Sequence, residues 1–522
     1  MAVLLLANVL PAILPVAAAN APSPVIQIAS GRVQGVARDG LMIFEGIPYA
    51  APPVGRLRWQ PPQPVMPWSG VRSAVHFEHD CMQLPDPHDD TPLRTTPSED
   101  CLYLNVWAPL EHAQELPVIV WIYGGGFVNG GSSPAVYSGA AFVRQGLVFV
   151  SFNYRVGRFG FFALPALVKQ GGLVGNYAFM DQIAALEWVR RNIAAFGGDP
   201  HEVTIFGESA GGMSVNVLLT SPLAHGLFQR AMIESGGGRD TILSPASLDH
   251  PGPRGQHSAE QDAVAFARRM GIQGDGAAAL AALRRLPAQK IVDGLNMPSM
   301  RQQQDIYSGP MIDGKVMVQR PEDVFKEGGQ AKVPVVVGAN SADLGFTTAH
   351  TLAALLVPFG ARRAEALRAF DPGGHASVRV IGQRIATVRD MIEPARFVAR
   401  SVAAAGEPAY EYRFSYVAAS VRGKFPGAPH ASEVPYVFDT IRKYMWGNFG
   451  KGVTAQDLAM ARTVNEYWVN FARTGNPNGP GLPHWPAITP DGNQLMNFTM
   501  KGAKGEIDPW KTRLDLVQPL QP

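Results

Sequence analysis

Short apolar runs rich in β-branched and aromatic residues recur along the chain: PVIVWIY at 117 to 123, LVFVSF at 147 to 152, VTIF at 203 to 206, AMIE at 231 to 234, VPVVVG at 333 to 338 and YEYRFSY at 410 to 416. Runs that stay apolar without alternating describe strands buried on both faces. Amphipathic helical patterns lie between several of them. In the clearest, FMDQIAALEWVRRNIAAFGGDP, Ile183, Leu186, Val189, Ile193 and Phe196 recur at helical spacing, and Gly197, Gly198 and Pro200 end it. Buried strands alternating with helices specify an α/β fold: a large, mostly parallel central sheet with helices on both faces. The 522 residues, 46% of them apolar, are enough to fill such a core. Proline and glycine are scattered through loops, and neither a fixed-period repeat nor a low-complexity linker divides the chain, so residues 22 to 522 read as one domain. Within it, AEQDAVAFARRM and AAALAALRRL read as helical segments inserted between strands.

The net charge is +2, with no Lys/Arg block, which argues against nucleic acid and anionic membrane as partners. Residues 1 to 21 carry no charge, hold an apolar core and finish in small residues suited to cleavage after Ala19 or Ala21. They read as a secretory signal, which places the mature chain outside the cytoplasm, secreted or periplasmic. No later segment reaches the roughly 18 uninterrupted apolar residues of a membrane span. In an exported protein the only two cysteines, Cys81 and Cys101, are most simply one disulfide, worth about 3 kcal/mol by loop entropy. Without clustered histidines they make a poor zinc site.

VTIFGESAGGMSVNVLL sets Ser209 between two glycines, after an apolar strand and before a helical pattern. A bare GxSxG says little; its place at a strand-to-helix turn says more, because a sharp elbow leaves no room for flanking side chains and exposes the hydroxyl. The helix that follows aims its N-terminal amides at the same spot. Upstream, WIYGGGFVNGG ends a strand in consecutive glycines, but Asn129 stands where a dinucleotide loop needs its third glycine. Those glycines instead suit backbone donors brought up to an oxyanion, with Gly125, Gly126 and the amide of Ala210 as the candidates. A serine nucleophile needs a base, and the base an orienting carboxylate. In the chain order serine, acid, histidine, the available histidines are His225, His250, His257, His350, His375, His430 and His484. His430 stands out, in a turn-rich loop soon after the strand YEYRFSY, with His484 next. Asp343 follows the strand VPVVVG, where loops of an open α/β sheet meet a site, although an aspartate there also suits a helix N-cap.

Taken together, FEGIPYAAPPVGRLRW, SEDCLYLNVW, YGGGFVNGG, FNYRVGRFGF, MDQIAALEWV, TIFGESAGG, GANSADLGF, PHASEVPYVF and WVNFARTGNPN resemble, in order, the signatures of the type-B carboxylesterases, the cholinesterase-like branch of the α/β-hydrolases. The resemblance runs from about residue 25 to 500 and implies an α/β-hydrolase fold. It implies Ser209 as nucleophile, Asp343 as acid and His430 as base, with Gly125, Gly126 and Ala210 as the oxyanion hole. Glu208, Ser235 and Glu433 fall where the family keeps polar residues around the triad. Ion pairs would join Arg58 to Glu99 and Arg155 to Asp181, and the family's first disulfide maps to Cys81 and Cys101. Departures are visible: aspartate replaces the usual glutamate at 343, Leu344 the usual glycine, and Ile272 and Ala282 stand where some members have a second disulfide. The loop from Cys81 to Cys101 contains no Trp, Tyr or Phe, which argues against choline esters.

The expected reaction is hydrolysis of a small carboxylic ester through an acyl-enzyme, with no metal or organic cofactor. Because the base must start neutral, activity should fall as pH drops through roughly 6 to 7. Acyl transfer to an alcohol by the same triad, or a non-catalytic adhesion role known for relatives of this fold, are the alternatives. Pocket walls are expected from loops 83 to 97, 237 to 256, 300 to 310 and 344 to 360. Arg94 and Arg239 there suit either esters bearing carboxylates or, more simply, solvated surface positions. Nothing in the sequence speaks to oligomeric state.

Overall fold

In the computed structural model, which describes residues 23 to 521 except 88 to 90, 112 to 113, 243, 253 to 254 and 443 to 451, all six apolar runs become strands of one sheet. The expected leader, 1 to 21, lies outside the described residues. The eleven strands are β1 (Val36–Arg38), β2 (Leu41–Pro48), β3 (Tyr103–Pro109), β4 (Leu116–Ile122), β5 (Val148–Phe152), β6 (Gly198–Glu208), β7 (Arg230–Glu234), β8 (Val335–Asn340), β9 (Ala409–Phe414), β10 (Gln494–Thr499) and β11 (Gly502–Ile507). They lie in the order β11-β10-β9-β8-β7-β6-β4-β5-β3-β2-β1. From β10 across to β5 every pairing is parallel. At both edges the sheet turns antiparallel: β10 pairs with β11 at one, and β1, β2, β3 and β5 pair in succession at the other. The sheet is therefore mixed, with a parallel centre whose strands are buried along nearly their whole length.

Helices cover both faces of this centre. The expected amphipathic pattern forms α1 (Tyr177–Asn192), continues as a 3-10 turn to Phe196 and stops at Gly197, whose φ of +85° is open to glycine at little cost. The helix after Ser209 is α2 (Ala210–Thr220). The two inserted segments form α3 (Ala259–Arg269), opened by a Ser258/Gln261 capping box, and α4 (Ala277–Arg285). Later come α5 (Glu393–Ala404) and α6 (Ala455–Thr474). Among the described residues no helix is long and apolar enough to cross a membrane.

Bare backbone sets how closely α2 sits on the sheet. A Cβ on Gly211 would lie 2.0 Å from the Ile122 carbonyl oxygen, and one on Gly207 2.6 Å from that same oxygen. Helix and strands thus meet with no side chain between them, and the first turn of α2 is pressed against the C-terminal end of β4.

Covalent and ionic ties hold the loops above that end. Cys81 and Cys101 form a disulfide. Arg155 donates through Nε and Nη2 to both oxygens of Asp181, each at 2.7 Å, with both side chains buried. Arg58 meets Glu99 through Nε at 2.7 Å.

Gly211→Ala is expected to cost about 3 kcal/mol or more, because the added methyl overlaps a main-chain oxygen that cannot move without β4. Urea unfolding should show a lowered midpoint, whereas Gly226→Ala, at a glycine with open space around it, should shift it far less.

Candidate active site

Ser209 follows the last residue of β6 at φ +57° and ψ −124°, an uncommon conformation for a residue with a side chain. Its amide donates to the Glu234 carbonyl at 2.9 Å and its carbonyl accepts from Met213 N at 2.8 Å, so the turn is fixed from β7 and from α2. The glycine segment comes in from β4. A Cβ on Gly124 would be 3.0 Å from the Cβ of Ser209. Gly125 and Gly126 hold φ of +104° and +62°, and the Gly125 carbonyl turns away to accept from Val128 N and Asn129 N at 3.1 and 2.9 Å. Among the described residues, the amides of Gly125, Gly126 and Ala210 donate to no backbone acceptor.

Asp343 lies three residues past β8, fully buried. Its Oδ2 accepts from Asn340 N at 2.8 Å and Ser235 Oγ at 2.7 Å, and its Oδ1 from Leu344 N at 2.7 Å and His430 Nδ1 at 2.6 Å. It caps no helix; the next helical turn starts at Leu352 and is capped by Thr351. The loop bearing His430 is stitched to the end of β8. Ala342 N donates to Ala428 O at 2.8 Å, Ala428 N to Ser341 Oγ at 3.0 Å, and Asn340 Nδ2 to Pro429 O at 2.7 Å and to the Glu433 carboxylate. His430 Nε2 lies 3.1 Å from Glu208 Oε1, without hydrogen-bond alignment. No hydrogen bond joins Ser209 Oγ to the imidazole: the structure brings Asp343, His430 and Glu208 into contact and leaves the serine hydroxyl, one residue on, unpaired among the described residues. His484 is exposed, its carbonyl packed on Gly505 of β11.

Carboxylates crowd this imidazole. Burial works against its charged form, but Glu208, then Asp343 and Glu433, outweigh that and raise its pKa well above the ordinary 6.5. Asp343 moves the other way, since the opposing charge and hydrogen bond of His430, the Asn340 amide and the Ser235 hydroxyl overcome its burial. Glu208 and Glu433 are pushed up by burial and by neighbouring carboxylates. Glu234, at the end of β7, is pushed up to about 8 by burial, although Trp468 Nε1 donates to its Oε1 at 2.6 Å.

Two residues here escape a reading by motif. Asn340 fastens the histidine loop, and its one signal is a polar side chain closing an otherwise apolar strand. Glu234 has the same signal at the end of AMIE. Arg239 corrects the expectation of a solvated position: its side chain is only 8% exposed, its Nε bound to Glu393 and its Nη1 to Glu322, each at 2.8 Å. Its charge is spent on the protein's own carboxylates. Arg94 lies over the ring of Phe77, 5.4 Å from the centroid.

A strained serine at a strand-to-helix elbow, beside an Asp–His contact at the carboxyl ends of parallel strands, defines an α/β-hydrolase. The carboxylesterase family model matches residues 22–363 and 375–515. Over 513 residues the chain is 35% identical to a fumonisin B1 esterase of Sphingopyxis macrogoltabida, covering 94% of this chain and 90% of that one. It is 34% identical to a medium-chain fatty acyl-CoA hydrolase precursor of Anas platyrhynchos, over 93% of this chain and 90% of the other. A solved PNB esterase superposes with a TM-score of 0.79 at 30% identity, covering 94% of this chain and 99% of its own. The chain belongs to the carboxylesterase family and is a carboxylic ester hydrolase.

Since Glu234 is raised from 4.5 to about 8, the folded chain keeps a proton that the unfolded chain has released between those values, and stability falls as pH rises across that window. His430, also raised, adds a decline of the same sign above 6.5. Asp343, lowered, contributes stability that is lost only as pH falls below its unfolded value of 3.8. Thermal melts should therefore give a lower midpoint at about pH 8 than at about pH 6. Glu234→Gln keeps an acceptor for Trp468 without an ionising group and should flatten part of that decline.

Proposed function

We propose that Ser209 is the nucleophile, His430 the general base and Asp343 its orienting acid, with the amides of Gly125, Gly126 and Ala210 receiving the oxyanion. The 2.6 Å contact between His430 Nδ1 and Asp343 is the observation that carries this reading, because it fixes the proton on Nδ1 and leaves Nε2 as the acceptor. Nε2 lies 3.1 Å from Glu208 Oε1 with no aligned hydrogen bond between them, and it is this nitrogen that takes the proton of Ser209. As the oxygen attacks the ester carbon, His430 becomes the imidazolium and Asp343 stabilises it. His430 then gives the proton to the leaving alkoxide, and the alcohol departs. Water repeats the sequence on the acyl-enzyme, releasing the acid and free Ser209. Water, rather than a second alcohol, is the acceptor in keeping with the hydrolases this chain resembles.

Residues 22 to 522 act as one domain, a reading supported by a single sheet whose strands run from Val36 to Ile507. The protein works outside the cytoplasm, as the uncharged apolar N-terminus and the Cys81–Cys101 disulfide suggest.

Ser209→Ala should lower turnover on the order of 10⁶-fold, and an organophosphate should label the wild type at Ser209 alone. More than a few per cent of residual activity in the variant would remove Ser209 from its role. With its pKa raised by neighbouring carboxylates, His430 becomes neutral only above the ordinary range, so the acid limb of kcat/KM should lie higher than the roughly 6 to 7 of an unperturbed histidine. Glu208→Gln removes the largest raising influence and should move that limb downward; a limb that stays put would rule out this coupling.

A further inference from the structure

Between the segment around Arg301, the loop that follows Asp343 and the helix Val378–Thr387 lies a cavity of about 500 Å³. Two guanidiniums, Arg301 and Arg389, line it, and among the described residues no carboxylate does. Phe346, Leu355 and Phe359 supply apolar walls and Thr347 a hydroxyl.

The two arginines are not equivalent. Arg389 is committed, its Nε donating to Asp390 at 2.6 Å and its Nη2 to the Phe346 carbonyl at 2.6 Å. Arg301 is exposed and pairs with no carboxylate among the described residues; its guanidinium carbon sits 4.4 Å from the centroid of the Phe346 ring. Stacking of that kind fixes the plane of the fork and leaves its N–H edge directed outward, ready for a planar oxyanion. Phe346 itself is 43% exposed, so part of its ring remains open to a ligand beside Arg301.

Both residues are anchored to the catalytic surroundings. Phe346 is three residues beyond Asp343, and the intervening Gly345 is packed on the Ala386–Thr387 backbone while Thr387 Oγ1 donates to the Asp343 carbonyl at 2.6 Å. Arg301 follows Met300, whose methyl lies 3.9 Å from where a Cβ on Gly126 would stand. The stacked pair therefore bridges the loop of the acid to the segment lying over the glycine turn.

We propose that Arg301, stacked on Phe346, is the anchor of a subsite for the carboxylate of an amphipathic ester. The apolar chain of such a substrate lies along Phe346, Leu355 and Phe359, and the carboxylate takes the free edge of Arg301. This inference rests on the assignment of Ser209, His430 and Asp343 above and adds the substrate class. Arg239 does not compete for the carboxylate, because Glu322 and Glu393 already occupy it.

The test uses the full-length enzyme and matched pairs of esters of equal chain length, one neutral and one ending in a carboxylate, with the carboxylate in the acyl chain in one series and in the alcohol in the other. In at least one series kcat/KM should favour the anionic member, mainly through KM, and added salt should reduce the preference. Arg301→Gln should lower the anionic-to-neutral ratio about tenfold or more, the usual consequence of losing a hydrogen bond to a charged group, and Arg301→Lys should restore part of it. A ratio that is the same in wild type and Arg301→Gln in both series overturns the proposal. Failure of the nucleophile assignment would register separately, as hydrolysis of the neutral esters by Ser209→Ala.

Discussion

Everything about the site follows from a main-chain contact: the first turn of α2 rests on the carbonyl of Ile122 with no side chain between. That contact needs glycine at 207 and 211, where a Cβ would come within 2.6 and 2.0 Å of that oxygen. Once the helix is so close, Ser209 has to bridge β6 and α2 through a positive φ, and its side chain is thrown clear of the sheet. The same crowding reaches Gly124, so the glycine segment after β4 is pressed beside the serine rather than looping away. Strain at one residue is thereby held by a close-packed interface of buried strands, which does not relax locally.

Around this backbone frame the protein assembles an unusual amount of buried negative charge. Glu208, Glu234, Asp343 and Glu433 are all buried. They need not all be ionised: burial and mutual repulsion raise Glu208, Glu234 and Glu433, while Asp343 alone is lowered, because it receives hydrogen bonds from Asn340, Ser235, Leu344 and His430. The two kinds of carboxylate differ in partners, not in depth. In the one fully solvated by protein donors the charged form is favoured, and in the others burial and repulsion disfavour it. This selection makes Asp343 the partner of the imidazole, although Glu208 lies on the ring's other nitrogen.

How far the sequence shows this arrangement depends on what sort of interaction produces it. The parallel centre is legible because β4, β5, β7 and β8 are near-continuous apolar runs, whereas β9 buries Glu411 and Arg413, and α1 because its periodicity ends in a glycine that takes φ +85°. The antiparallel edges β1 to β3 and β10 to β11 are not, since edge strands mix polar and apolar residues and their pairing is set by neighbours distant in sequence. At the site, Ser209, Asp343 and His430 are visible as motif residues following strands. Asn340 and Glu234 are not, because their roles depend on which side chains fold against a strand end. Arg239 shows the same limit from the other side: an arginine in a loop reads as solvated until Glu322 and Glu393, 83 and 154 residues away, close on it.

Asn129 links the rigid frame to the variable loops. Its Oδ1 accepts from Met297 N at 2.9 Å, and its Nδ2 donates to Leu84 O at 2.7 Å and Gln83 Oε1 at 3.2 Å. Gln83 returns to the glycine segment by accepting from Gly130 N at 2.9 Å, close to the disulfide at Cys81. The side chain that breaks the spacing of a dinucleotide loop is therefore the one that joins three loops above the serine. Through Met297 it also steadies the segment that continues to Met300 and Arg301. Neighbouring side chains on these loops can then vary while the glycine turn beneath keeps its geometry, because Met297 and Leu84 are tied to the turn through main-chain atoms that any side chain would present.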